Sequence, residues 1–255
     1  MSADIAALAT KLDDAARHAK ATPQIAGDPI SVTDAYAVQK ASIDKRLGRG
    51  ERIVGMKMGF TSRAKMIQMG VSDLICGRLT DAMMAEDGGA ISFKKFVHPR
   101  VEPEVAFLLR KPLIGRVTPL QALDAVEAIA PALEIIDSRY ENFKFSLTDV
   151  IADNSSSSAF VIGPWRSADI DIANLGMVMS INGRAQAFGS TAAILGHPLR
   201  SLVSAARLAA EFDVDMSAGS LVMAGGATAA SALSPNAYVS LEVEALGRCG
   251  FSVED

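Results

Sequence analysis

Apolar residues recur at helical spacing twice within the first fifty positions. Ile5, Leu8, Leu12 and Ala15 fall on one side of a first helix, and Tyr36, Lys40, Ile43 and Leu47 share a side of a second that starts at Thr33 and stops at Gly48. From Ile53 the pattern shortens to strand-sized apolar runs punctuated by glycine, at residues 53–59 and again at 105–109. Residues 62–69 predict a short helix closed by Gly70. Thr118-Pro-Leu-Gln121 is a capping box with proline at the first helical position, and the helix it opens is expected to reach about Ile129. Residues 131–137 are expected as a buried strand, and Asn182-Gly183 between residues 177–181 and 184–188 predicts a hairpin. A helix over 199–212 and strands over 221–224 and 238–245 complete an α+β pattern without regular strand-helix alternation. The change of character near Ile53 divides the chain into a small helical N-terminal region, residues 1–52, and a main domain, residues 53–255.

Composition narrows the picture. With 255 residues, 49% of them hydrophobic, the chain can bury a sizeable core. A net charge of −4 without a long basic run gives no footprint for nucleic acid. No stretch approaches the roughly 20 apolar residues that cross a bilayer, so no membrane role is expected. Asp4, Lys11, Asp13 and Asp14 interrupt any apolar leader, so a cytoplasmic protein is expected. Cys76 and Cys249 stand far apart and are expected as buried thiols, with neither a disulfide nor a thiolate zinc site. There is no internal repeat, and the serine run over 155–158 is the one biased segment.

The chemistry begins at His98-Pro-Arg-Val-Glu102-Pro-Glu104. Two glutamates two residues apart on a strand point to one face, where like charges repel and lose solvation unless one is protonated or a cation joins them. Glu134, inside the apolar run Ala132-Leu-Glu-Ile-Ile136, poses the same problem. Three carboxylates with open positions suit a hard cation such as Mg2+ or Mn2+. The alternative is that Glu102 and Glu104 face water at a strand edge while Glu134 pairs with Arg139.

The segments Gly55-Met-Lys-Met-Gly-Phe-Thr61, His98-Pro-Arg-Val-Glu-Pro-Glu104, Leu133-Glu-Ile-Ile-Asp-Ser-Arg-Tyr-Glu-Asn-Phe-Lys-Phe145, Ala152-Asp-Asn-Ser-Ser156, Leu195-Gly-His-Pro198 and Gly225-Gly-Ala-Thr228 occur in this order. Together they resemble the hydratase and decarboxylase branch of the fumarylacetoacetate-hydrolase-like superfamily, from the second helix onward. The resemblance implies a mixed β-sheet roll, Glu102, Glu104 and Glu134 as ligands of Mg2+ or Mn2+, and a 2-oxo or 2-hydroxy dienoic acid as substrate. The run over 138–145, with that over 58–65, is more similar to the decarboxylases. It implies conversion of 2-oxo-3-hexenedioate to 2-hydroxypenta-2,4-dienoate and CO2 in the meta-cleavage degradation of aromatic compounds, by a metal-enolate route that needs neither nucleophile nor Schiff base. Hydration of the dienoate is the second reading, and a non-catalytic stabilising partner of a pathway enzyme is the third. An oligomer, and a complex with the pathway hydratase, are implied as well.

Lys57 matches the superfamily's lysine on a Gly-x-Lys-x-Gly strand, where an ammonium would stabilise the developing enolate; an isolated lysine would instead end a strand in water. Asp81 matches an acid near the pocket, and an exposed turn is its plain alternative. Arg139 either orients a substrate carboxylate or pairs with Glu134 or Asp137. Ser156 and Thr228 offer hydroxyls to substrate, and the loop over 224–228 offers backbone N–H groups. Tyr140 and Lys144 are weaker candidates for the distal carboxylate. His18 and His197 are expected to be structural, and His98 to stand behind the ligand strand at most. No Glu-His pair of the kind that activates water in the superfamily's C–C hydrolases can be placed.

Overall fold

The computed structural model describes residues 4–25, 30–62, 66–67 and 73–255. Helix α1, Ile5–Arg17, is capped by Asp4, whose carboxylate accepts from the Ala7 N–H, and it buries Ala9, Leu12 and Ala15. Helix α2, Val32–Gly48, is capped by Ser31 and buries Tyr36, Gln39 and Ile43. Asp13 and Arg49 join the two helices through a bidentate pair at 2.7 Å. The helix expected over 62–69 lies for the most part outside the described residues.

The strands follow as β1 (Ile53–Gly59), β2 (Ile75–Thr80), β3 (Met84–Ala85), β4 (Ala90–Ser92) and β5 (Arg100–Leu109). Then come α3 (Pro119–Asp124), β6 (Val126–Ile136), α4 (Leu147–Ala152), β7 (Ser157–Ile162) and β8 (Arg166–Ser167). The chain closes with β9 (Gly176–Ile181), β10 (Arg184–Ser190), α5 (Pro198–Glu211), β11 (Leu221–Met223), β12 (Ser231–Ala232), β13 (Tyr238–Val243) and β14 (Gly247–Glu254). A large mixed sheet runs β2-β1-β11-β5-β6-β7-β3, with β12 beside β5 and β8 beside β6, and a second sheet runs β10-β9-β13-β14-β4. The second sheet packs on β6 and β7 through β13 and β14.

Alternation along β5 and β6 divides their side chains between two layers. Val105, Phe107, Leu109, Leu133 and Ile135 enter the main core, which also holds Val239, Leu241 and Phe251 of the second sheet. Ala106 and Ala132 point the other way, into a smaller cluster with Phe160, Met223 and Ile43 of α2. By the same two-residue period, Glu102, Glu104 and Glu134 share this second face.

Two expectations are corrected. The capping box forms as read, but α3 ends at Asp124 and not near Ile129, because Val126 already begins β6 and Ile129 pairs with Phe107 of β5. Strand β5 begins at Arg100, so Glu102 and Glu104 lie inside the strand and not at the head of a shorter one. The hairpin at Asn182-Gly183 forms with both residues at positive φ, 52° and 74°, as a tight turn between right-twisted strands requires.

Candidate metal centre

The antiparallel register of β5 and β6 sets Glu102 directly opposite Glu134, with Glu104 two residues further along β5. One carboxylate oxygen from each of the three lies within 4.8 Å of the others, and all three side chains are buried. Lys57 on β1, also buried, reaches past β11 and β5 to place its Nζ 3.1 Å from Glu134 Oε2 on β6. The contact is an ion pair by distance. The ammonium does donate to the Ser155 carbonyl at 2.9 Å.

Burial dominates the electrostatics. It pushes the Glu104 carboxyl well above the ordinary glutamate range, with Glu134 adding to the rise and Lys57 opposing it. Glu134 is raised as well, by burial first, against the pull of Lys57. For Lys57 burial acts to lower the pKa, but Glu134, Glu104 and Glu102 outweigh it and the ammonium is held. Among the described residues Glu104 Oε1 and both oxygens of Glu134 meet no hydrogen-bond partner, although buried polar atoms are almost always bonded. Orphaned carboxylate oxygens converging on one point are what a hard divalent cation requires, and without His or Cys the donor set fits Mg2+ or Mn2+ better than zinc.

The loop after β11 seals this face. Its Gly225 N–H donates to Glu104 Oε2 at 2.8 Å, and the Ala224 and Ala227 N–H groups bond the Val105 and Pro103 carbonyls of β5. A Cβ on Gly225, at φ +106°, would stand 2.1 Å from Thr61 Oγ1, and one on Gly226 would stand 2.5 Å from Glu102 Oε2. Two glycines are needed for the backbone to lie against the carboxylates at all.

The other sequence candidates divide. Ser156 lies in the turn beside Lys57, buried, with its Oγ unbonded among the described residues. Thr228 follows the Gly225-Gly226 loop, where its hydroxyl donates to the Ala229 carbonyl. Asp81 is not brought to the cluster: it follows β2 at the level of Ile53, four positions along β1 from Lys57, about 13 Å at strand rise, and bonds the Arg52 side chain and N–H. Arg139 pairs with neither Glu134 nor Asp137; it is buried against Asp153, with further donation to Ser158 Oγ, which leaves it committed within the fold. Asp137 instead accepts from the Val97 and His98 N–H groups. Tyr140 is buried and Lys144 exposed. His98 Nε2 meets the Tyr140 carbonyl, while His197 caps α5 and His18 closes α1, both structural. Both cysteines are buried and free.

Thr61, Asn154 and the Ser155 carbonyl were not singled out from sequence as neighbours of the cluster, and the N–H groups of the 224–228 loop were expected to meet substrate, whereas that of Gly225 donates to Glu104. The serine run was the visible signal, but the role of the Ser155 carbonyl cannot be read from its residue type.

A model of the fumarylacetoacetate (FAA) hydrolase C-terminal family matches residues 55–254. The chain belongs to the fumarylacetoacetate hydrolase family. Within the family it is 59% identical to a 4-oxalocrotonate decarboxylase of Pseudomonas sp over 249 residues, 97% of each chain. A 2-hydroxyhexa-2,4-dienoate hydratase of Comamonas testosteroni is 35% identical, with 86% of this chain and 85% of that one covered. The structure of 4-oxalocrotonate decarboxylase from Pseudomonas putida G7, complexed with magnesium and adipate, superposes with a TM-score of 0.94 at 37% identity, covering 98% and 97% of the two chains. The mixed-sheet fold inferred from the sequence is the family's fold.

Proposed function

We propose that this chain decarboxylates 4-oxalocrotonate (2-oxo-3-hexenedioate) to 2-hydroxypenta-2,4-dienoate and CO2. The convergence of Glu102, Glu104, Glu134 and Lys57 on one buried face carries the proposal, in a chain whose relative at 59% identity is a 4-oxalocrotonate decarboxylase. In the substrate, cleavage of the bond to the C6 carboxylate sends its electron pair through C5, C4 and C3 to the C2 oxygen. Glu102, Glu104 and Glu134 would hold Mg2+ or Mn2+, which supplies Lewis-acid stabilisation of the charge that grows there. Lys57 adds a fixed positive charge that needs no rearrangement when CO2 departs, because the Ser155 carbonyl and Glu134 already orient its ammonium. Ser156, whose hydroxyl is unbonded among the described residues, and Thr228, after the Gly225-Gly226 loop, are assigned to the substrate; Asp81 and Arg139, held by Arg52 and Asp153, are not.

Measuring CO2 release from 4-oxalocrotonate with Mg2+ tests the proposal. Hydratase relatives such as the Comamonas protein make the competing outcome specific: conversion of 2-hydroxypenta-2,4-dienoate to 4-hydroxy-2-oxovalerate without CO2 would identify a hydratase. Neither reaction, together with no Mg2+ binding, would point to a stabilising partner of another enzyme. The proposal extends to a cytoplasmic enzyme that associates with the hydratase, since hand-over of the unstable dienol limits its loss. It also keeps residues 53–255 as the catalytic domain behind a helical region, residues 1–52, in line with the family match over 55–254.

A further inference from the structure

Strand β2 is the outer strand of the large sheet, so one row of its backbone groups has no strand to pair with. Side chains take the place of that strand. The Cys76 N–H donates to the Tyr36 hydroxyl at 3.1 Å, and the Cys76 carbonyl accepts from Gln39 Nε2 at 3.0 Å and from Ser155 Oγ at 2.7 Å. Two residues on, Asn154 spans Arg78 completely: its Oδ1 accepts from the Arg78 N–H at 2.7 Å, and its Nδ2 donates to the Arg78 carbonyl at 2.9 Å. Asn154 thus meets Arg78 at two points, as a ladder neighbour would.

This attachment fixes a turn that the sequence would not adopt unaided. Asn154, Ser155 and Ser156 all have positive φ, 49°, 52° and 61°, a run of left-handed residues that is uncommon outside glycine. The turn lies directly over Gly77, where a Cβ would stand 2.5 Å from the Asn154 carbonyl oxygen. Gly77 is the cross-strand partner of Lys57. In that position the Ser155 carbonyl meets the Lys57 ammonium at 2.9 Å.

We propose that Asn154 is a positioning residue for Lys57: by clamping the 154–156 turn to the open edge of β2, it presents the Ser155 carbonyl that holds the ammonium over the carboxylate cluster. Asn154 acts through the turn and needs no contact with substrate. The proposal rests on the role of Lys57 given above, and a double-mutant cycle separates the two.

Steady-state kinetics with 4-oxalocrotonate and saturating Mg2+ would be measured for Asn154→Ala, Lys57→Met and the double variant, per mole of protein active by Mg2+ titration. Asn154→Ala is expected to lower kcat about tenfold or more, with KM within about threefold and Mg2+ affinity unchanged, because the interaction lost acts on developing charge. In the Lys57→Met background the same substitution should change kcat by less than about twofold, since the group it positions is gone. Ser155→Ala removes the second anchor but leaves the Cys76 carbonyl bonded to Gln39, so it should fold even where Asn154→Ala does not. It is expected to show the same dependence on Lys57 with a smaller loss. Equal losses in both backgrounds, or a wild-type kcat in Asn154→Ala and in Ser155→Ala, would overturn the positioning role while leaving Lys57 in place. A normal kcat in Lys57→Met would instead remove the Lys57 reading itself.

Discussion

Burying Glu104 and Glu134 with oxygens left unbonded costs free energy that a bound cation can offset, and single substitutions probe that balance. Glu104→Gln keeps the shape but removes a ligand charge, so Mg2+ affinity and turnover should fall while the metal-free melting temperature holds or rises. Near-normal turnover at limiting Mg2+ would end the ligand assignment. Lys57→Met keeps the apolar stem and removes the charge. The loss of one preorganised donor, about 2.7–4 kcal/mol, should lower kcat by about 10²–10³ with a smaller change in KM. A raised KM at constant kcat would make Lys57 a carboxylate anchor. Arg139 calls for a stability measurement. Burial pushes the Asp153 carboxyl from 3.8 to about 6 despite the guanidinium beside it. A raised acid contributes most below its unfolded pKa, and that contribution is lost as pH climbs through about 6. Above that pH, Arg139 is the counter-charge for a buried anion, so Arg139→Met should cost roughly 3–5 kcal/mol at pH 8 and clearly less at pH 5, where the acid takes up a proton. Equal losses at the two pH values would show that Asp153 does not change its ionisation between pH 5 and pH 8 in the folded chain. The carboxylates stood out in the sequence because charges in apolar strands demand an explanation, but their joint ligand role and that of Lys57 came from the family resemblance. The partner of Arg139 was not legible, since Asp153 lies fourteen residues away across a helix and a turn.

At the level of elements, two glycines test how closely the backbone must approach the site. Gly226 does not have a positive φ, so alanine is conformationally allowed there, but its Cβ would meet Glu102 Oε2 at 2.5 Å. Gly226→Ala should therefore weaken Mg2+ binding by displacing Glu102, with a small change in melting temperature. Gly55 differs, because a Cβ there would stand 1.9 Å from the Leu221 carbonyl oxygen, in the parallel pairing of β1 with β11. Gly55→Ala should lose folded protein outright, read by soluble yield and circular dichroism. A stable, metal-binding Gly55→Ala protein would mean that β1 can move away from β11 without disturbing Lys57. Elements with a strong local signal were legible: the capping box of α3, the Asn-Gly hairpin and the two N-terminal helices. Strand β2 was not, since Cys76, Gly77 and Arg78 show no alternation; its strand character comes from pairing with β1 and from side chains that cover its other edge. The overlong α3 has a related cause, for pairing with β5 claims Val126 to Ile129 whatever their helical spacing.

For the whole molecule, the cation and Lys57 compete for one negative field, and that competition makes metal binding visible in global stability. A ligand bound by the folded chain alone stabilises it by about 2.7 kcal/mol at a hundred times its dissociation constant. Mg2+ should accordingly raise the melting temperature of the wild-type chain. The shift should shrink in Glu104→Gln, which has lost a ligand. In Lys57→Met the metal-free protein loses the buried ammonium beside Glu134, so its carboxylates must take up protons or repel one another. It should melt lower than wild type without Mg2+ and gain more from Mg2+, with tighter binding by calorimetry, although turnover has fallen. That opposition of tighter metal binding to slower catalysis distinguishes Lys57 from a residue that merely stabilises the site. If Lys57→Met bound Mg2+ more weakly, the ammonium would be supporting the cation and not competing with it, and the electrostatic account of the cluster would need to be redrawn around a different arrangement of Glu134.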